Sequence, residues 1–425
     1  MDGNPHPRTV AFADRRVGLA REWDDLVEQV RRIPGHENFL RPPSIEALLP
    51  AAEDGPIVVA NISEWRCDLL LVRPTGAQSV SLELSAEQLS AEVATVLSSL
   101  QALDSAVATH IEAHKRAREH DSVRARADLQ RATSGMRAAQ TKADSTLLAS
   151  LEWLWSAIAE PALDALGLTG PGSADAPRTR MWWCPTGPLT LLPLHAAGHH
   201  DGSGRSVLDR VVSSYTPTVR ALAEAKRRRT NPPPHRFLIV GDADDLPGAA
   251  REIEELLHLL PPERRTLRLG RGATRDQVLE DLPRHQWVHF GCHGDQNLSD
   301  PSMGGLLLTD ERLRIFDIAD LSLSGEFAGL AACKTAVGGT DLPDEAITLA
   351  AALHYSGYRH VIGTLWSVRD SAAGQLFTQM YRSLIKDGTL DAGQSAHLLH
   401  EQVLALRAAR PGEPTVWAPY VHLGP

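Results

Sequence analysis

From residue 178 onward, short apolar segments alternate with helical segments, and this alternation restricts the fold more than any other feature of the chain. The strand candidates are residues 180–184, 207–215, 236–241, 286–291, 327–332 and 359–365, and the helix candidates are residues 247–259, 273–282, 344–356 and 370–386. This pattern predicts an α/β fold with a mainly parallel sheet flanked by helices. In such folds the active site lies at the carboxyl ends of the strands.

The first 170 residues follow a different pattern. Helical character over residues 14–33 is followed by extended segments at residues 56–60, 67–72 and 80–84, which indicate a small sheet. Ser85 stands three residues before Gln88, which fits a capping box and predicts the start of long helices with a break near Gly135. We therefore expect an N-terminal α+β region dominated by long helices.

The loop at residues 169–177 is rich in glycine and proline and predicts the main domain boundary. We expect an N-terminal helical arm at residues 1–45. A small sheet with a long helical hairpin at residues 46–170 follows, with a scaffold or regulatory role. The α/β domain then occupies residues 178–425.

The composition of the 425-residue chain is typical of a globular protein, with 43% hydrophobic residues. The sequence has no apolar run of about 18 residues and starts without an apolar signal-peptide core, so we expect a cytoplasmic location and no membrane partner. Sparse cysteines in such a chain are typical of free thiols rather than a disulfide framework. They are Cys67, Cys184, Cys292 and Cys333.

The net charge of −10 argues against a general nucleic-acid binder, because phosphate contacts need clustered cations. The basic run from Lys226 to Arg229 precedes Asn231 and three prolines, so a solvated linker is the favoured interpretation. A nucleic-acid partner at this run is the weaker alternative.

Two strand candidates end in residues that can perform nucleophilic chemistry. The segment 287–291 ends in Gly291 and is followed by His293 and Gly294, and the segment 327–332 is followed by Cys333. If these strands are neighbours in a parallel sheet, both side chains emerge at the same edge. A cysteine and a histidine placed in this way form a candidate catalytic pair.

Such a pair fits acyl transfer. Cysteine attacks a carbonyl carbon as a thiolate, and histidine helps to remove the thiol proton and protonates the departing amine. The backbone N–H groups of Gly294 and Cys333 are the natural donors for the oxyanion. Two alternatives stay open: Cys333 packs as a small buried residue, or His289, Cys292, His293 and Cys333 bind a metal ion.

At this point the sequence resembles the CHAT domain, a relative of caspases and separase. The motifs that carry the resemblance are His293-Gly294 after an apolar strand, Leu330-Ala-Ala-Cys-Lys-Thr335, and Val361-Ile-Gly-Thr-Leu-Trp-Ser-Val-Arg-Asp370. Residues 182–196 are similar to the opening strand and turn of the family, and residues 416–421 to its closing strand. The resemblance covers residues 178–425, and implies a caspase-like fold.

The resemblance also implies roles for individual residues. His293 and Cys333 correspond to a catalytic dyad that needs no third residue, no metal and no cofactor. Asp370 is similar to a separase aspartate that lines the pocket for a basic residue before the scissile bond (P1), and Trp366 is a candidate pocket wall. The alternatives are that Asp370 caps the helix beginning near Ser371 and that Trp366 packs in the core.

We therefore expect a cysteine endopeptidase that acts on protein or peptide substrates, with a regulatory protein as a further candidate partner. The alternative is a latent or non-catalytic signalling module that uses a peptidase-like fold to bind partners. The N-terminal part resembles the region that precedes CHAT domains in some longer proteins, but the tetratricopeptide repeats common in them are not evident here.

Overall fold

The structure, a computed structural model, describes residues 7–37, 39–120, 122–170, 178–228, 236–241, 247–295, 304–331, 348–386 and 389–425. The chain divides into two compact units, Met1–Leu48 and Leu49–Pro425. The first unit contains the helices α1 (Pro7–Arg31) and α2 (Ile45–Leu48).

The helices of the second unit are α3 (Ala86–Glu119), α4 (Val123–Leu154), α5 (Glu160–Leu166), α6 (Val207–Arg210), α7 (Val219–Arg227), α8 (Pro247–Leu259), α9 (Arg275–Asp281), α10 (Ile315–Ala319), α11 (Leu349–Ser356), α12 (Asp370–Leu384), α13 (Ser395–Ala409) and α14 (Pro414–Trp417). A π-helical turn at Trp155–Ala159 joins α4 to α5.

The strands are β1 (Ile57–Ile62), β2 (Cys67–Arg73), β3 (Gly76–Ser81), β4 (Thr179–Pro185), β5 (Val211–Tyr215), β6 (Phe237–Gly241), β7 (Arg265–Leu269), β8 (Trp287–Gly291), β9 (Gly294–Asp295), β10 (Gly305–Leu307), β11 (Arg312–Arg314), β12 (Phe327–Leu330), β13 (His360–Thr364), β14 (Ile385–Lys386), β15 (Thr389–Leu390) and β16 (Tyr420–Leu423).

Within the described residues, eleven strands form one sheet in the order β3-β2-β1-β4-β5-β16-β13-β12-β8-β6-β7. Strands β13, β12, β8, β6 and β7 are mutually parallel, and β16 pairs with β13 in the antiparallel direction. The carboxyl ends of β6, β8, β12 and β13 therefore meet at one edge. The α/β class with a mainly parallel sheet flanked by helices is confirmed.

The inner strands are apolar along their whole length because both faces of the sheet are covered. All five residues of β8 are buried, as are all four of β12. Trp287 of β8 stacks against Phe327 of β12 with ring centroids 5.0 Å apart, and Phe237 of β6 meets Tyr381 of α12 at 5.8 Å. This aromatic core holds the strands that end at the candidate site.

The N-terminal strands belong to the same sheet. Strand β1 pairs with β4 in parallel, with Val58 opposite Trp183, and β2 and β3 extend the sheet in antiparallel fashion. Residues 49–425 therefore form one compact unit, and the division of this part into separate domains stays a prediction.

Two long helices, α3 and α4, form an antiparallel hairpin. The predicted capping box is present, since the Ser85 side chain accepts the Gln88 N–H while the Gln88 side chain accepts the Ser85 N–H. The expected break near Gly135 is wrong: Gly135 lies inside α4, which begins after the N-cap Ser122. The cost of a glycine in a helix is only about 1 kcal/mol, which packing along the hairpin outweighs. None of the described helices is long and apolar enough to cross a membrane.

The basic run at residues 226–229 is largely part of the fold rather than a solvated linker. Lys226 lies at the end of α7, forms an ion pair with Asp54 at 2.6 Å and donates to the Ala51 carbonyl at 2.8 Å. Arg228 donates to the carbonyls of His354 and Tyr355, each at 3.1 Å. The physical reason is that buried carbonyls next to α7 need donors. Arg229 lies outside the described residues.

Candidate active site

Strands β8 and β12 are parallel neighbours, which is the arrangement that the candidate pair requires. Their register pairs Phe290 with Leu330, and the Ala331 N–H donates to the Phe290 carbonyl at 3.0 Å. His293 follows Phe290 by three residues (293 − 290 = 3), and Cys333 follows Leu330 by three residues (333 − 330 = 3). Cys333 itself lies outside the described residues.

The His293 side chain is exposed at the carboxyl edge of the sheet, while its backbone is held by a neighbouring strand. The Leu307 N–H of β10 donates to the His293 carbonyl at 2.8 Å. The same antiparallel register pairs Gly294 with Leu306 and Asp295 with Gly305. An exposed imidazole on a fixed backbone can exchange protons with a ligand at this edge.

The N–H of Gly294 points away from strand β10. In an antiparallel pair, residues that exchange hydrogen bonds alternate with residues that do not. Because the Leu307 N–H bonds to the His293 carbonyl, the next pair along, Gly294 with Leu306, is a non-hydrogen-bonded pair. The Gly294 N–H is thereby directed toward the outside of the β9–β10 ribbon.

Below His293, the side chain of His289 forms a buried polar cluster with two helices. His289 Nδ1 lies 2.8 Å from the Tyr381 hydroxyl of α12, and His289 Nε2 lies 2.8 Å from Glu252 Oε2 of α8. The three side chains are at most 1% exposed. His289 is thus a core residue with polar partners.

Burial sets the ionisation behaviour of this cluster. Desolvation raises the pKa of the Glu252 carboxyl, and the adjacent His289 partly offsets that rise. Desolvation also raises the pKa of Tyr381 well above its ordinary value, with a smaller contribution from the charge of Glu252. The phenol therefore stays protonated and available as a hydrogen-bond donor near neutral pH.

The structure places Asp370 at the first position of α12, where its carboxylate binds the N-terminus of a different helix. The N–H groups of Gly248 and Ala249 in α8 both donate to it, the second at 3.1 Å. The alternative in which Asp370 caps its own helix is wrong, because the N-cap of α12 is Arg369. The first N–H groups of a helix have no acceptor within that helix, so those of α8 need one from another part of the chain.

Trp366, the candidate pocket wall, is 4% exposed in this structure. Its indole N–H donates to the Thr415 carbonyl at 3.1 Å. The residue packs in the core beside the C-terminal turn, as the second of its two sequence-based interpretations expected. Its role in substrate binding stays a prediction.

Among the described residues, no group of three or more metal-binding side chains is arranged to hold a metal ion. Cys67, Cys184 and Cys292 are buried and form no disulfide with one another. The alternative metal site included Cys333, which lies outside the described residues, so the geometry of that full set is not defined.

Sequence reasoning missed Glu252 and Tyr381, although both lie in the polar cluster beneath His293. Glu252 belongs to α8 and Tyr381 to α12, and each position reads locally as part of an ordinary amphipathic helix. The single available signal was His289, a titratable residue inside an otherwise apolar strand. A buried histidine requires polar partners, but the sequence does not say which helices supply them.

Comparison with known proteins supports the fold. Chains in two crystal structures of the Saccharomyces cerevisiae separase–securin complex match with TM-scores of 0.58 and 0.56 and identities of 10% and 11%. Each match covers 89% of this chain but only 31% and 30% of the matched chains, so this chain spans less than a third of their length. At such identity the likeness shows the fold alone.

No curated protein sequence matches the chain. The family model of the CHAT domain, however, matches residues 148–425, which is well over half of the sequence. This match confirms the resemblance seen in the motifs after β8, β12 and β13. The chain belongs to the CHAT domain family.

Proposed function

We propose that the chain is a cysteine endopeptidase in which His293 and Cys333 form the catalytic dyad. The observation that carries the proposal is the pairing of β8 with β12, since each dyad residue follows the paired positions Phe290 and Leu330 by three residues. Because β8 and β12 are parallel neighbours and each dyad residue follows its strand by the same number of residues, the two chain segments lie at the same edge of the sheet. The family and the separase-like fold support the same reaction class.

The proposed reaction has two steps. The Cys333 thiolate attacks the scissile carbonyl carbon, the bond from sulfur to carbon forms, and the bond from carbon to nitrogen breaks as His293 protonates the departing amine. Water then attacks the thioester, with His293 accepting its proton, and releases the acid product and the thiol. No metal or cofactor enters either step.

The outward direction of the Gly294 N–H supports its proposed part in the oxyanion hole, together with the Cys333 N–H. Donors that are fixed before the reaction stabilise the negative charge of the tetrahedral intermediate most effectively. The hydrogen bond from the Leu307 N–H to the His293 carbonyl fixes the residue that precedes Gly294.

A basic P1 preference is part of the proposal. Asp370 begins α12 beside the N-terminus of α8, at the edge where β6, β8 and β13 end. A carboxylate there can pair with the guanidinium of arginine or the ammonium of lysine. Two helix N–H groups fix the direction of the carboxylate, which favours recognition of a cation.

A peptide-library digest tests the activity. Cys333→Ala and His293→Ala are expected to abolish cleavage, whereas Cys184→Ala is expected to retain it. Cys184 is a suitable control because burial raises the pKa of its thiol to about 12, which makes it unreactive. Cleavage by Cys333→Ala at the wild-type rate would contradict the mechanism.

Control by a protein partner extends the proposal, because the matched separase structures are complexes with securin. Labelling of Cys333 by a peptidyl electrophile, with and without candidate partners, tests this extension. If Cys333 is never labelled and no peptide is cut, the alternative function as a non-catalytic binding module is favoured. A cytoplasmic location accompanies the proposal.

A further inference from the structure

Four contacts close a ring through three elements of the candidate site. Asp370 of α12 accepts the first N–H groups of α8, Glu252 of α8 lies 2.8 Å from His289 of β8, and His289 lies 2.8 Å from Tyr381. The ring is closed because Tyr381 belongs to α12, the helix whose first residue is Asp370. Each of the three elements is thereby held to the other two.

Two glycines lie where the elements of this ring approach one another closely. A Cβ atom on Gly374 of α12 would lie 3.1 Å from the Gly248 carbonyl oxygen and 3.3 Å from Glu252 Oε1. A Cβ atom on Gly291 would lie 3.3 Å from His289 Nε2 and 3.2 Å from the Ala249 Cβ. These distances are tighter than ordinary van der Waals contacts, so a Cβ atom at either position would require its neighbours to shift by a few tenths of an ångström. The backbones of α12 and β8 therefore lie close to the pair of Glu252 and His289.

Gly291 connects this ring to the proposed catalytic histidine. It is the last residue of β8, a Cβ atom on it would lie 3.3 Å from His289 Nε2, and it stands two positions before His293 (293 − 291 = 2). The His289 ring therefore packs close to the start of the short segment that carries His293.

We propose that Glu252, His289 and Tyr381 are positioning residues that hold the segment from Gly291 to His293 in place relative to Asp370. They do not touch the reacting atoms. The buried hydrogen bond between His289 and Tyr381 and the 2.8 Å contact between His289 and Glu252 fix β8 between α8 and α12, so that His293 and the P1 carboxylate keep one mutual arrangement. The expected effect on kcat rests on the proposed function. The expected effect on the position of His293 rests on the geometry alone.

A matched pair of tyrosine variants tests this inference. Tyr381→Phe removes the hydroxyl that contacts His289 near the carboxyl end of β8. Tyr358→Phe removes a hydroxyl that is equally buried and donates to the His285 carbonyl at 3.3 Å, before the amino end of the same strand. Both variants lose one buried phenol hydrogen bond, but only Tyr381 belongs to the ring.

The expected result is a fall in kcat of about 10- to 100-fold for Tyr381→Phe with an unchanged KM, and a kcat for Tyr358→Phe within about twofold of wild type. Glu252→Gln, which keeps the shape and one acceptor, is expected to retain more kcat than Glu252→Ala. Equal kcat values for the two tyrosine variants, or equal loss of kcat for the two Glu252 variants, overturn the inference.

A second readout separates this inference from the proposed function. The His293 ring carbon signal in the nuclear magnetic resonance spectrum of the full chain, assigned with His293→Gln, needs no activity. Tyr381→Phe is expected to shift or broaden that signal, and Tyr358→Phe to leave it unchanged. An unchanged signal in Tyr381→Phe contradicts the positioning role, whereas absent cleavage by wild type contradicts only the peptidase proposal.

Discussion

The carboxylate of Asp370 accepts the backbone N–H of Ala249 at 3.1 Å, although the two residues are 121 positions apart in the chain. With the Gly248 N–H as its second donor, Asp370 caps α8 from the first turn of α12. In the proposed recognition of a basic P1 side chain, the same carboxylate also contacts the cation of the substrate. A carboxylate has about four lone-pair sites, so two N–H donors and one cation are compatible.

Two substitutions of Asp370 are expected to separate the structural contact from the charge. Asp370→Asn keeps an acceptor oxygen for one of the two α8 N–H groups and removes the negative charge, so kcat/KM for peptides with arginine at P1 falls by about 10-fold or more, while the melting temperature falls less than in Asp370→Ala. Asp370→Ala removes both, and costs about 1 kcal/mol of folding stability in addition. The measurements are a P1 peptide panel and thermal unfolding.

Ser371→Ala serves as the control for this pair, because Ser371 is the exposed neighbour of Asp370 in the same helical turn. If Asp370→Asn retains the wild-type preference among P1 residues, Asp370 acts as a helix cap and not as the specificity residue.

Much of this arrangement could be predicted from the sequence, because the inner strands are continuous apolar runs with clear ends. Strands β6, β8, β12 and β13 lie within or next to the predicted segments, and β8 and β12 are the neighbours that the candidate pair requires. The edge strand β7 was not predicted, since its residues alternate in polarity and none of them is fully buried. Local periodicity identifies buried strands more readily than partly covered ones.

The contacts that hold the candidate site together were beyond sequence reasoning for a different reason. The partners of Asp370 lie in α8, and those of His289 lie in α8 and α12, so each contact joins positions that only the fold brings together. A local pattern can mark a residue that needs a partner, but it cannot name the partner. The expected helix break at Gly135 was wrong for a related reason, because helix packing outweighed the low helix propensity of glycine.

Leu307 is expected to contact the substrate residue that follows the scissile bond. Continuing the register of β9 and β10 places Leu307 opposite His293, and residues directly opposite in an antiparallel pair project to the same face. Leu307 is 41% exposed, which is unusual for a leucine beside a proposed catalytic group. Since His293 protonates the departing amine, its neighbour on that face meets the residue that carries this amine.

Leu307→Ser is therefore expected to lower kcat/KM about 10-fold for peptides with leucine or phenylalanine after the scissile bond, and little for glycine, as a partly buried leucine contributes about 1.5 kcal/mol. Leu70→Ser is the matched control, because Leu70 lies on β2 and is 40% exposed. The same profile for both variants would show that Leu307 does not contact this part of the substrate.

Asp144 is expected to be important for stability. It is a buried residue of α4, and it accepts the backbone N–H of Thr415 at 3.1 Å, the Thr415 hydroxyl at 2.6 Å and the Gln140 amide at 2.8 Å. Asp144→Ala leaves these donors without their acceptor and lowers the free energy of unfolding by about 2 kcal/mol or more. Urea denaturation measures this change.

Asp128→Ala on the same helix is the control, since Asp128 forms an exposed ion pair with Arg131. Surface pairs of this kind contribute less than about 1 kcal/mol. If the two variants unfold at the same urea concentration, Asp144 does not link α4 to the C-terminal turn in the way its contacts indicate.

Mild acid is expected to destabilise the fold through histidines that are buried or half-buried. Desolvation lowers the pKa of His195 to about 3 and those of His200, His354 and His400 to about 4, whereas an unfolded histidine titrates near 6.5. As the pH falls below 6.5, the unfolded chain binds protons that the folded chain does not, so the free energy of unfolding decreases. At pH 5.5 each group costs about 1 kcal/mol, while above pH 7 none has an effect.

Urea denaturation at pH 7.5 and pH 5.5 measures this dependence in a window where ordinary carboxylates stay ionised. His354→Gln is expected to reduce the pH dependence in part, because the buried His360 and His422, whose pKa values also lie well below 6.5, still contribute. His120→Gln, at an exposed position, is expected to leave it unchanged. Glu252 acts in the opposite direction, because burial raises the pKa of its carboxyl and the folded chain binds that proton first. A stability that is equal at the two pH values contradicts the burial of these histidines in neutral form.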